Sequence, residues 1–319
     1  MRPVKPYLSR FIYTLLFLSL FSLTGASKPG FIELESAASH SPGYSSTSAN
    51  VDREFFEEIL HYALLSQLAY RSDEQIREKY PNAEIVVTDP AKIKFFIIYD
   101  EKTLTQTVAI RGTANWENLL IDAKFWKAKD FFLQIKLHSG FYKAARELVW
   151  RVVFRLRDEY KTIITGHSMG GAVGLIMAMY LADMGFPVER VVTFGQPRVT
   201  DKEGIEVFGH VPLLRVTHKY DLVSLLPPWQ KYFRHFGDWL QFDGQNYTWQ
   251  EKESEQTEIG DPGTSKKAKK LWDKLEEKKS GSVGNKGSGF GEFHLLPMYI
   301  SSLRRLIEHV ESQENLRSP

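Results

Sequence analysis

The chain has 319 residues, of which 43% are hydrophobic, and its 41 Lys and Arg nearly balance 39 Asp and Glu for a formal net charge of +2. That balance gives no electrostatic footprint for nucleic acid, and the apolar fraction suffices to bury one large core. Cysteine is absent, which excludes disulfide bracing and thiol chemistry while leaving an oxidising compartment open.

At the N-terminus Arg2, Lys5 and Arg10 precede an apolar run from Phe11 to Leu23, followed by Thr24-Gly25-Ala26-Ser27. A charged, then apolar, then small-residue order is that of a secretory signal over residues 1–27, and the apolar run is short for a membrane span. An uncleaved anchor in the endomembrane system is the alternative. Residues 28–50 are rich in Ser, Ala and Gly and too poor in large apolar groups to pack, so they read as a flexible leader. The folded part, residues 51–319, is expected to be a single catalytic domain. Phe55, Phe56, Ile59, Leu60, Ala63, Leu64 and Leu68 recur at helical spacing up to Tyr70 and predict an amphipathic helix.

Lys94 to Tyr99 and Thr107 to Ile110 read as two strands around the polar turn Asp100-Glu101-Lys102. Beyond Arg111-Gly112-Thr113, the stretch from Trp116 to Phe132 is dense in large side chains, among them Trp116, Phe125 and Trp126. These form either fixed core or a hydrophobic flap that opens onto lipid, where the roughly 25 cal/mol per Å² cost of exposing apolar surface to water disappears. A long helix is predicted from Phe141 to Glu159.

The β-branched run Thr162 to Thr165 then breaks into Gly166-His167-Ser168-Met169-Gly170, a G-x-S-x-G pentad, and continues into a helix-forming segment. A serine lifted on a sharp strand-to-helix turn adopts a strained backbone, and side chains two residues either side would collide, so glycine at 166 and 170 is what a nucleophile elbow needs. The pentad alone is weak; its strand–turn–helix setting gives it weight. Gly170, Gly174, Ala178 and Ala182 form a small-residue stripe that lets the helix lie close to a sheet. Val191 to Phe194 and Leu213 to Thr217 are further strands. Strands alternating with helices imply a mainly parallel sheet covered on both faces, with active-site groups at the carboxyl ends of the strands.

Residues 251–290 change character. A charged, acidic beginning gives way to Lys266, Lys267, Lys269, Lys270, Lys274, Lys278 and Lys279 around Leu271, Trp272 and Leu275, with Gly and Ser at the end. This is a charged low-complexity insertion; a solvated helix is one reading and a basic helix lying on an anionic membrane the other. Met298 to Val310 is a terminal amphipathic helix.

Serine becomes a nucleophile when an imidazole takes its proton, and the imidazole needs a carboxylate to fix its tautomer. In the chain order Ser, Asp, His of elbow hydrolases, Asp221 follows a strand and precedes Leu225-Leu226-Pro227-Pro228, whereas Asp201 reads as a loop cap. Nine histidines are available.

With these markers in order, together with His138-Ser139-Gly140-Phe141 and Thr193-Phe194-Gly195-Gln196-Pro197-Arg198, the sequence from about residue 55 to 242 resembles the fungal-type, or class 3, lipases of the α/β-hydrolase fold. The resemblance implies Ser168 as nucleophile, Asp221 as orienting acid, and the main-chain N–H groups of Met169 and Thr113 as the oxyanion hole. It also implies a supporting role for His167 and a base placed just before the terminal helix, which selects His294 over His235. Two departures stand out: Tyr299 lies five residues after His294, farther than the family's usual spacing, and Phe293 replaces the aspartate commonly before the base.

The expected activity is hydrolysis of lipid carboxylic esters, acylglycerols above all, through an acyl-enzyme, with neither metal nor organic cofactor. The expected partner is the lipid ester, with possible contact to a lipid surface. Phospholipase and short-chain or feruloyl-type esterase activities are the enzymatic alternatives, and a catalytically silent lipid-binding module is the alternative from another class.

Overall fold

Hydrophobic alternation and two-sided burial put eight strands into one sheet. The computed structural model describes residues 53–89, 92–113, 127–228, 232–243, 246–251, 270 and 294–317, with side chains to residue 313. The segments expected to be signal and leader (1–50), the aromatic stretch 114–126 and almost all of the expected charged insertion lie outside the described residues.

In chain order the elements are α1 (Arg53–Leu68), α2 (Asp73–Lys79), β1 (Glu84–Val87), β2 (Lys94–Asp100), β3 (Thr105–Ile110), β4 (Lys127–Lys129), β5 (Lys136–His138) and α3 (Ser139–Val153). They continue with β6 (Lys161–His167), α4 (Met169–Asp183), β7 (Val188–Phe194), α5 (Lys202–Phe208), β8 (Leu213–His218), β9 (Asp238–Asp243), β10 (Asn246–Gln250) and α6 (Leu296–Arg317). The sheet order is β1-β2-β3-β6-β7-β8-β9-β10, and β4 and β5 form a separate antiparallel pair. The centre, from β3 through β9, is parallel, while β1, β2 and β10 pair antiparallel at the flanks.

Strand periodicity assigns the two faces. Ile163, Val192, Phe194, Val216 and Leu240 point to the side where Phe56 and Ile59 of α1 meet Tyr299 and Leu303 of α6. On the opposite side α4 lies so close that a Cβ on Gly174 would stand 3.0 Å from Ile164 Cγ2 and 3.3 Å from Ile110 Cδ1. The small-residue stripe therefore sets the helix-to-sheet distance, and nearly all of α4 is buried. A helix covered this way is hydrophobic all round rather than amphipathic.

One prediction needs correction. The helix expected to reach Glu159 ends at Val153. Gln106, buried on β3, takes the following loop instead: its Oε1 accepts from Arg157 N at 2.8 Å, and its Nε2 donates to the Tyr160 carbonyl at 3.3 Å. Leu156 and Tyr160 are thereby buried from a loop while Phe154 is left exposed. The apolar pattern was real, but burial from a loop continued it beyond the helix.

Candidate active site

The parallel centre brings the ends of β6, β7 and β8 side by side, and the sequence-selected polar residues sit there. At the end of β6 the backbone turns at Ser168 with φ 58° and ψ −126°, an unfavourable region for a residue with a Cβ, and α4 begins at the next residue. Ser168 N donates to the Phe194 carbonyl of β7 at 2.8 Å, which anchors the turn. A Cβ on Gly166 would stand 2.5 Å from the Gly170 carbonyl carbon, and one on Gly170 would strike the Ile110 carbonyl oxygen. Both glycines are thus required by close approach.

Asp221 follows β8. Its main-chain N–H donates to the His218 carbonyl at 2.8 Å, and its Oδ1 accepts from Val223 N at 2.9 Å, so the carboxylate is fixed by its own turn. His294, immediately before α6, places Nδ1 2.9 Å from Asp221 Oδ2 and Nε2 2.8 Å from Ser168 Oγ. Ser168 is 2%, Asp221 1% and His294 1% exposed, so water competes little for these bonds. With Asp221 accepting a hydrogen bond from Nδ1–H, the Nε2 edge of the ring faces the serine hydroxyl.

Several groups brace this run, and of these the resemblance gives a supporting role to His167 alone. The Tyr299 hydroxyl donates to Asp221 Oδ2. Burial, reinforced by the neighbouring Asp221 charge, raises the Tyr299 pKa well above the ordinary phenol value, so it stays a donor. Behind His294, His167 Nε2 donates to the His294 carbonyl at 2.7 Å, while its Nδ1 accepts from the Tyr70 hydroxyl at 2.9 Å. Burial first, and the nearby His294 second, lower the His167 pKa to about 3, so this ring is neutral and serves as a bridge. Gly195, at φ +57° just beyond β7, lies beneath the pair: a Cβ there would stand 2.5 Å from Asp221 Oδ2 and 3.0 Å from both His294 Nδ1 and the Tyr299 hydroxyl.

Thr113 leaves β3 three residues after Ile110, and Met169 opens α4. Ile110 is in register with Gly166, and a Cβ on Gly112, the residue before Thr113, would stand 3.4 Å from Ser168 Cβ. The first N–H groups of a helix have no intrahelical acceptor, so that of Met169 is available to a ligand. Asp201 is indeed a cap: its Oδ1 accepts from Gly204 N at 3.3 Å at the start of α5, and its Oδ2 pairs with Lys127 Nζ at 2.7 Å. His235 is away from the serine, its Nε2 donating to the Ser224 carbonyl at 2.6 Å. His138 is buried at the N-terminus of α3, stacked on Phe141 with ring centroids 4.2 Å apart, and burial lowers its pKa to about 4. Among the described residues, no group of three or more His, Asp or Glu side chains is arranged to hold a metal ion.

An arrangement with this geometry can transfer a proton from Ser168 to His294 and hold the resulting imidazolium against Asp221. Comparison with known proteins agrees. The family of class 3 lipases matches residues 107–231. A secreted mono- and diacylglycerol lipase of Fusarium solani is 30% identical over 175 residues, covering 50% of this chain and 50% of that protein. A lipase of Rhizomucor miehei is 31% identical over 151 residues, covering 43% of this chain and 41% of the relative. The chain thus spans about half the length or less of these curated relatives. Among solved structures, lipase II from Rhizopus niveus aligns with a TM-score of 0.51 at 25% identity, over 59% of this chain and 80% of that one. The sheet order, the elbow and these likenesses point the same way: the chain has the α/β-hydrolase fold and is similar to the class 3 lipases.

Proposed function

We propose that the protein is a secreted serine hydrolase that cleaves carboxylic esters of lipids, acylglycerols in particular, and that residues 51–319 form its single catalytic domain with a charged insertion at about 251–290. The observation that carries the reading is the buried, hydrogen-bonded run from Asp221 through His294 to Ser168 at a strained elbow. His294 Nε2 takes the Ser168 proton as Oγ adds to the ester carbonyl carbon. The oxyanion that forms is received by the main-chain N–H groups of Met169 and Thr113, in a water-poor setting where such bonds stabilise most. His294 then delivers the proton to the departing alcohol, which leaves the acyl group on Ser168. Water, deprotonated by the same imidazole, releases the acid and restores the serine.

Substrate class and destination have separate support. The Fusarium solani relative is a secreted mono- and diacylglycerol lipase. In this chain the charged, apolar and small residues of 1–27 have the order of a secretory signal. The test is covalent: a fluorophosphonate probe should label the wild type and fail on Ser168→Ala, while ester turnover in that variant falls on the order of 10⁴-fold or more. A folded Ser168→Ala protein that retains a tenth of wild-type turnover would remove Ser168 from the role.

A further inference from the structure

The far edge of the sheet, remote from the serine in chain order, carries Asn246-Tyr247-Thr248, the sole Asn-x-Ser/Thr triplet with a non-proline centre in the whole sequence. This triplet is the acceptor pattern for N-linked sugar, with the hydroxyl two residues on needed for recognition. In folded chains such triplets are common and many are buried or pinned, so position decides. Here position favours modification. β9 ends at Asp243 and β10 begins at Asn246, the two residues being cross-strand partners in a hairpin. Strand alternation turns Asn246 and Thr248 outward, both exposed, and turns Tyr247 and Trp249 to the core side. The Tyr247 ring meets Phe56 at 5.1 Å between centroids and the Trp249 ring meets Phe55 at 5.3 Å, so the strand is held by the neighbours of Asn246 and not by Asn246 itself.

β10 is the last strand of the sheet, with β9 on one side and no described strand on the other. A bulky, hydrated group at such an edge costs no core packing. It also shields unpaired strand N–H and C=O groups from pairing with another chain.

We propose that Asn246 is an N-glycosylation site, an inference that rests on the proposed entry of the protein into the secretory route. The transfer requires a lipid-linked oligosaccharide of the secretory compartment as donor. The Asn246 carboxamide nitrogen bonds to C1 of the first sugar, the C1–O bond to the lipid diphosphate breaks, the diphosphate leaves with that electron pair, and the amide loses one proton.

The test uses the full chain with its own residues 1–27, expressed in a secreting yeast. Protein from the medium should drop by one discrete step in apparent mass on treatment with peptide N-glycosidase, with Asn246 converted to aspartate in its peptide spectrum. Asn246→Gln and Thr248→Ala should migrate at the treated position without treatment. Thr248→Ser should keep the step, which separates loss of the acceptor pattern from loss of folding, and Asn246→Gln should keep wild-type ester turnover. Secreted wild type that does not move with the glycosidase overturns this inference alone. Wild type retained unmodified in the cytosol overturns it together with the secretory reading.

Discussion

Gly195→Ala tests whether the space beneath the Asp221–His294 contact is as tight as the structure indicates. The added methyl group faces two costs. At φ +57° an L-residue gives up roughly 1–2 kcal/mol relative to its favoured conformations. Its Cβ would also stand 2.5 Å from Asp221 Oδ2, against the 3.4 Å at which ordinary contact begins, and overpacking of that kind typically costs about 1–3 kcal/mol. Together these predict a loss of about 2–5 kcal/mol, readable as a lower urea midpoint with unchanged slope. The catalytic effect follows from direction, since the group that yields is the carboxylate that orients the base. A shift approaching 1 Å in a positioned group costs on the order of 10²-fold in rate. Turnover of a soluble p-nitrophenyl ester should therefore fall by about that factor, mainly in kcat, in protein shown to be folded by its near-ultraviolet circular dichroism. Gly195→Ala with wild-type kcat and an unchanged urea midpoint would refute the reasoning.

The other expectations are independent of that one. His294→Ala should match Ser168→Ala in severity because the residues act as a unit, whereas His235→Ala should lower stability through its lost bond to Ser224 and leave kcat largely intact; the opposite pattern of kinetics reverses the assignment. Tyr299→Phe removes a donor to a buried carboxylate, which predicts a loss of about 1.5–3 kcal/mol in stability and a lower kcat with little change in KM; unchanged values of all three would make the hydroxyl dispensable. His138 and His167 have pKa values lowered to about 4 and about 3 by burial, and burial also lowers His61, His218 and His235. Below the ordinary histidine value of 6.5 the unfolded chain takes up these protons and the folded one does not, so stability should be fully present above about pH 6.5 and decline as pH falls toward 4 and then 3. Urea midpoints that hold steady or rise over that interval would contradict it.

How far the sequence alone reaches can be judged element by element. Long, strongly patterned segments were legible: the first helix, the elbow strand with its helix, β2 with β3, β7 and β8 all lie within a few residues of their expected bounds. What escaped was short or weakly patterned. The edge strand Glu84–Val87 is nowhere fully buried, and β9 and β10 alternate only partly, so the hydrophobic contrast that announces a strand is faint there. The outer strands β1, β9 and β10 were therefore invisible, although β2 with β3 and the parallel centre were expected. The seven-residue helix Asp73–Lys79 is short, yet Ser72 and Gln75 form a reciprocal capping box, which is a local sequence signal for a helix start.

The site divides along a different line. Its three polar residues were legible because chain order and chemistry constrain them, and apart from His167 in the elbow their supports were not, because contact between distant residues leaves no local pattern. Tyr70 reaches His167 from the end of α1, and nothing in the sequence near Tyr70 announces it. Tyr299 is more instructive, since its five-residue distance from His294 looked like a departure from the family pattern. The structure explains why that spacing still works. His294 lies in a 3-10 turn and Leu295 in a bend before α6 starts at Leu296, so regular α-helical counting does not set the offset between the two side chains. Both side chains then converge on Asp221 Oδ2, one through Nδ1 and the other through its hydroxyl. With β7 lying between β6 and β8, the residue that follows it passes under that convergence, and glycine at 195 leaves the volume that any side chain would take from it. The Gly195-Gln196-Pro197-Arg198 motif thus has a physical cause in the triad it never touches chemically.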